Sequence, residues 1–184
     1  GSMQKAFYEM CEFSVPEYLE LIQYARDIGN DLFYSVFSVG FEEIRLKQKW
    51  HKIAGFQTKH SILDKWDDVE NLFISIPSEL EGNKIKKCGF KKADFMYVSE
   101  YMPRDPALIN IRVLSQILGK QVGYSDHTNG LKYCFEACDD FGVTLIEKHF
   151  CLKNHENYGG MIYRDTVHGL NPQQFERLSI KMSF

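Results

Sequence analysis

The strongest constraint on this chain is an alternation of short apolar runs with segments of helical spacing. The runs are LFYSVFS (32–38), HKIAG (51–55), NLFISIP (71–77), DFMYVSEY (94–101), KQVGYS (120–125) and VTLIEKHF (143–150). They read as continuous apolar stretches rather than as polar–apolar alternations. A strand buried on both faces has that pattern, and such strands belong to parallel sheets covered by helices. Between and around them lie helix signals. Ser14-Val15-Pro16-Glu17 is a capping box with proline at the first helical position, followed by apolar residues up to Gly29. FEEIRLKQKW (41–50), a brief segment at 61–66 and a weak one at 82–87 continue the series. Asp105-Pro106 opens a helix carrying Leu108, Ile111, Leu114, Ile117 and Leu118 and ending at Gly119. GLKYCFEACDDFG (130–142) closes on Gly142, and Asn171-Pro172 caps a last helix.

An open doubly wound sheet and a (β/α) barrel both satisfy this order. A Gly-rich phosphate-cradling turn after the first strand would favour the open sheet, and the sequence has none there. Polar residues instead end many strands: Ser38, Ser75, Ser99, Ser125 and His149. In barrels that carboxyl end is where a site is assembled from several strands. The expected fold is therefore α/β, a TIM-type (β/α) barrel. A full barrel takes about 250 residues, so about six strand–helix units make it incomplete.

Composition narrows the function classes. With 184 residues, 44% of them hydrophobic, the chain is long enough for one sizeable core. A formal charge of −3 with no long basic run gives no footprint for nucleic acid. No apolar stretch approaches the roughly 20 residues that cross a bilayer. Gly1-Ser2-Met3 reads as an expression remnant, leaving 4–184 as one partial barrel domain. Cys11, Cys88, Cys134, Cys138 and Cys151 are odd in number and form no CxxC pair. They read as small buried residues of a reducing, cytoplasmic compartment, although Cys134 and Cys138 share a helix face.

Two strands deliver a histidine at the same end: VGYSDHTNG (122–130) gives His127, and TLIEKHF (144–150) gives His149. Adjacent parallel strands would bring these imidazoles together around one divalent ion, a donor set that suits Mn²⁺, Fe²⁺, Co²⁺ or Zn²⁺. The same residues allow a plainer arrangement, with His127 capping the next helix and His149 packed in the core. Lys52 and Lys148 lie within strands, where an ammonium must snorkel, pair or bind an anion. Glu147 is the neighbour placed to neutralise Lys148, and a phosphorylated anion is the alternative partner for such lysines.

These motifs, with the later RDTVHGLNPQQF (164–175), resemble the second half of the sialic acid synthase (NeuB-type) barrel. That family includes the pseudaminic and legionaminic acid synthases. LFYSVFS stands where the family has a Ser-Thr-Pro-Phe strand, and HKIAG where it has Lys-Ile-x-Ser-Gly. LFISIP (72–77) takes the place of Ser-Thr-Gly, and YVSEYMP (97–103) that of Cys-x-Ser-x-Tyr-Pro. The resemblance runs from about Ser14 onward, and its SDHT and EKHF motifs are the specific ones.

The resemblance implies a metal-dependent transferase that condenses phosphoenolpyruvate with an N-acetylated amino sugar to a nonulosonic acid, releasing phosphate. His127 and His149 would be metal ligands, with Mn²⁺ expected and Mg²⁺ or Co²⁺ as substitutes. Lys52, Ser75 and Ser125 would contact phosphoenolpyruvate, and Ser99 and Tyr101 would line the sugar pocket. Asp165 would act beside His149 in catalysis, touching sugar and metal-bound water.

Departures accompany the resemblance. The family's first two strands, with Glu-x-Gly-x-Asn-His and Lys-Phe-Gln segments, have no counterpart here, nor does its C-terminal antifreeze-like domain. The Gly-Pro-Asp-His loop has become YRDTVH (163–168), and Lys-Ile-x-Ser-Gly has become Lys-Ile-Ala-Gly-Phe. A barrel short of two units exposes strand edges. A second copy of the chain or a partner segment covering that gap is therefore expected. The alternative is a non-catalytic binding or assembly module of the same fold, or a truncated barrel without activity.

Overall fold

Among the described residues six strands run parallel and lie side by side in chain order, β1 to β6. The computed structural model describes residues 13–30, 32, 35–36, 51–54, 72–90, 92–99, 105–152 and 168–183. Helix α1 (Val15–Asp27) precedes β1 (Ser35–Val36), β2 (His51–Ala54), β3 (Leu72–Ile76) and α2 (Glu79–Cys88). Then come β4 (Asp94–Val98), α3 (Ile109–Leu118), β5 (Val122–Asp126), α4 (Lys132–Phe141), β6 (Ile146–Lys148) and α5 (Pro172–Met182). A doubly wound sheet reverses its strand order at a switch point. This sheet does not, so the barrel reading holds: the fold is α/β, part of a TIM-type barrel.

Strand side chains alternate between faces, and the two faces differ sharply. Leu72, Ile74, Ile76, Phe95, Tyr97, Val122 and Tyr124 join Ile85, Ile111, Leu114 and Ala137 of the helices in one buried cluster. The opposite face carries rows set by register. Ser75 pairs with Met96, and Met96 with Gly123. One rung nearer the carboxyl ends, Val98 pairs with Ser125, and Ser125 with Glu147. Burial on both faces explains the continuous apolar runs.

Local signals mostly hold. The α1 capping box joins Ser14 and Glu17 with Pro16 in the first turn, and α5 repeats the device with Asn171 and Gln174. Helix α2 begins earlier than the weak signal at 82–87, because Ser78 Oγ accepts from Glu81 N and caps it. Helix α3 starts later than Pro106. Leu108 N donates to Pro106 O and Asn110 N to Ala107 O, a tight turn that precedes the regular helix. In the last run, only Ile146–Lys148 pairs as strand. The expected helices at 41–50 and 61–66, and Ser38, lie outside the described residues. Among the described residues no helix is long and apolar enough to cross a membrane. Among the described residues Cys88, Cys134 and Cys138 are free thiols.

Gly123 sets how closely β5 and the approach to β6 can pack. A Cβ there would stand 2.7 Å from Leu145 O and 3.0 Å from Leu145 Cβ. That carbonyl accepts from Tyr124 N at 2.9 Å, so it cannot withdraw without losing a ladder bond. Gly123→Ala is expected to destabilise the protein by about 1–3 kcal/mol through overpacking. The measurement is a lower urea midpoint at unchanged slope.

Candidate functional site

The spacing of the two motifs is the register of two strands. Ser125 lies opposite Glu147 and Asp126 opposite Lys148, each pair 22 apart in sequence. Continuing past the strand ends, His127 falls opposite His149, 22 apart by the same arithmetic (149 − 127). Their ring centroids are 5.0 Å apart at an interplanar angle of 61°. Both are half-buried. The alternation of faces puts Ser125, Glu147 and the histidines on one side and Tyr124, Asp126 and Lys148 on the other.

On the helix side lies a closed polar network. Lys148 Nζ donates to Asp126 Oδ2 at 2.8 Å, with the two side chains 1% and 0% exposed, and also to Thr128 O. Asp126 Oδ1 accepts from Tyr124 OH at 3.0 Å and from Thr128 N at 2.8 Å. Its Oδ2 also accepts from Cys134 Sγ of α4 at 3.0 Å. Burial by itself would raise the Asp126 carboxyl. The Lys148 ammonium and the donors from Lys148, Cys134 and Thr128 outweigh it and hold the group below its ordinary value. Burial first, then the Asp126 charge, pushes both the Tyr124 hydroxyl and the Cys134 thiol upward, so each stays protonated and remains a donor. Lys148 is thus paired by Asp126, not by Glu147. Glu147 Oε1 accepts instead from Ser125 Oγ at 2.8 Å.

This network holds the two histidines by their neighbours. Thr128 is tied at both its N–H and its carbonyl, which fixes the chain immediately after His127. His127 does not cap α4: the residue before that helix is Leu131, and among the described residues no side-chain cap bond is made there. The Asp-His-Thr cluster closes on Asp126 rather than on the helix.

A third imidazole belongs to the cluster. The His168 ring centroid lies 4.9 Å from that of His149 and 5.8 Å from that of His127. Leu170 N donates to His149 O and Cys151 N to Leu170 O, a parallel bridge that seats 168–170 beside the end of β6. His168 belongs to no strand, and its one signal in the sequence is its nearness to the Asn171-Pro172 cap.

The remaining expected residues are spread along the sheet. Ser75 is 4% exposed, and its hydroxyl has no hydrogen-bond partner among the described residues. Ser99 is half-buried just past β4. Lys52 is in register with Phe73, one rung below Ser75, rather than at the end of β2. Ser125 is 1% exposed, with its proton directed to Glu147. Tyr101 and Asp165 lie outside the described residues. Among the described residues, no group of three or more His, Cys, Asp or Glu side chains could hold a metal ion.

The family model described as the NeuB family matches residues 97–183, from within β4 to the end of α5. Comparison with curated proteins returns no match.

Proposed function

We propose, for a chain whose residues 97–183 match the NeuB family model, a part in a phosphoenolpyruvate-condensing synthase of nonulosonic acids. The family carries the coarser statement, a sialic acid synthase-like function. The finer reading rests on one observation: two imidazoles in register at the carboxyl ends of adjacent parallel strands, 5.0 Å apart. That spacing fits two ligands of one cation. A metal-bound nitrogen sits about 2.1 Å from the ion, which places ligand ring centroids roughly 4.5–5.2 Å from each other at octahedral to tetrahedral angles.

In this reading His127 and His149 hold a divalent ion, Mn²⁺ by resemblance. When bound, the ion would supply Lewis-acid polarisation of an open-chain sugar aldehyde. The enol carbon of phosphoenolpyruvate attacks the aldehyde carbon and forms the C–C bond. Water adds to the resulting cationic centre, the former enol phosphate carbon, and gives up a proton; the alkoxide formed from the aldehyde takes one up, and the C–O bond to phosphate breaks as the ketone forms. Ser75 offers its unengaged hydroxyl to the anion, with Lys52 on the neighbouring strand. Glu147 holds the Ser125 hydroxyl in place. Ser99, Tyr101 and Asp165 are assigned to the sugar. The complete site takes a second copy or a partner segment, in keeping with six strands among the described residues.

The test is phosphate release from phosphoenolpyruvate with an N-acetylated amino sugar, with and without Mn²⁺, beside calorimetric binding of each. Metal-dependent release supports the reading. A protein that binds neither Mn²⁺ nor phosphoenolpyruvate and releases no phosphate overturns it. Ser75→Ala gives a sharper check. Removing a hydroxyl with no partner among the described residues is expected to change stability by under about 0.5 kcal/mol. Phosphoenolpyruvate affinity should fall roughly tenfold, the worth of one hydrogen bond to a charged group.

A further inference from the structure

The register sets the Glu147 carboxylate on the face of β6 opposite to Lys148 and its partner Asp126. Its row runs through Val98 and Ser125, one rung nearer the carboxyl ends than Ser75 and Met96. Active sites of parallel barrels are built at that end. Glu147 is half-buried, whereas Ser125 is 1% exposed and donates its proton to Glu147 Oε1 at 2.8 Å.

A hydroxyl has one proton to give. Directed to a carboxylate, the Ser125 proton is not also available to a phosphate or carboxylate oxygen of an anion. Ser75 differs, because its buried hydroxyl has no partner among the described residues and keeps its proton to donate. The two serines therefore play opposite parts. Ser75 can serve an anion, while Ser125 serves Glu147.

A carboxylate is a costly means of satisfying one buried hydroxyl, since an amide or a second hydroxyl would do so without desolvating a charge. Lys148 does not offset that cost, being held by Asp126 on the other face. An ionised carboxylate has about four acceptor sites and no donor, and Ser125 fills one of them. Such a group bonds strongly to hydroxyl and amide N–H donors and repels a neighbouring anion.

We infer that Glu147, oriented by Ser125, is a ligand-binding residue that accepts from a hydroxyl or N–H of the neutral, polyhydroxylated substrate. The inference rests on the condensation reading above, in which that substrate is the N-acetylated amino sugar. It moves Ser125 away from phosphoenolpyruvate, where the resemblance put it, and makes it the positioning residue of Glu147.

The experiment is calorimetric titration of the wild type, Glu147→Gln and Ser125→Ala with N-acetylmannosamine alone and with phosphoenolpyruvate alone. Thermal melts confirm that each variant is folded, and if one is not, the other reads the same split. Sugar affinity should fall roughly tenfold in Glu147→Gln and roughly threefold in Ser125→Ala, with phosphoenolpyruvate affinity within about twofold of wild type in both. A merely structural role would weaken both ligands together. Equal losses, a loss confined to phosphoenolpyruvate, or no loss overturns the assignment and leaves the condensation reading standing. A wild type that binds phosphoenolpyruvate but no sugar overturns it as well. A wild type that binds neither overturns the condensation reading, and this inference with it.

Discussion

Asp126→Ala is expected to cost about 3–5 kcal/mol, a large share of the stability of a domain of this size. The substitution leaves the Lys148 ammonium, 1% exposed, without its counter-ion. It also removes the acceptor for Tyr124 OH, Thr128 N and Cys134 Sγ. A buried ion pair need not stabilise relative to an apolar pair of similar volume, but breaking one side of it is costly. The double variant Asp126→Leu with Lys148→Met should therefore recover most of the loss. Chemical denaturation of the single and double variants measures both quantities. A single variant within about 1 kcal/mol of wild type would mean that the pair does not hold these strands.

The same carboxylate gives a pH dependence of known sign. Its folded value lies below its ordinary one, so the unfolded chain binds this proton more tightly. The contribution is fully present above the unfolded value of about 3.9, and is lost as pH falls through the lower folded value. Acid unfolding should consequently be less steep in the double variant than in the wild type.

The second large effect concerns metal. His127→Ala and His149→Ala should each lower bound Mn²⁺ or Co²⁺ to under about a tenth of the wild-type content, since removing a ligand should cost more than losing an outer partner. Both rings are only half-buried, and neither belongs to the ion-paired network beneath them. Stability of the metal-free protein should accordingly change far less than in Asp126→Ala. Elemental analysis after dialysis reads the content, and thermal melts read the stability. Equal metal in all three proteins would remove both residues as ligands.

The fold was legible in the sequence for a local reason. A strand between two apolar layers must be apolar throughout, and a helix against a sheet must repeat near every third or fourth residue. Caps at Ser14 and Asn171 and stops at Gly119 and Gly142 were legible because a helix end needs particular side chains or a left-handed residue. Boundaries failed where a tight turn or a cap intervened, as before α3 and at the start of α2.

The site was half legible. The sequence by itself determined that His127 and His149 end neighbouring strands, because two motifs 22 apart need only a parallel register to meet. Tertiary structure decided the rest. Pairing across strands chose Asp126 for Lys148 and Ser125 for Glu147, since side chains two apart share a face and adjacent ones do not. Adjacency in sequence had suggested Glu147 for Lys148, and alternation of the strand forbids it. Only the bridge between Phe150 and Leu170 could bring in His168, because a single backbone rung formed after the last strand leaves no periodic trace in the residues that make it.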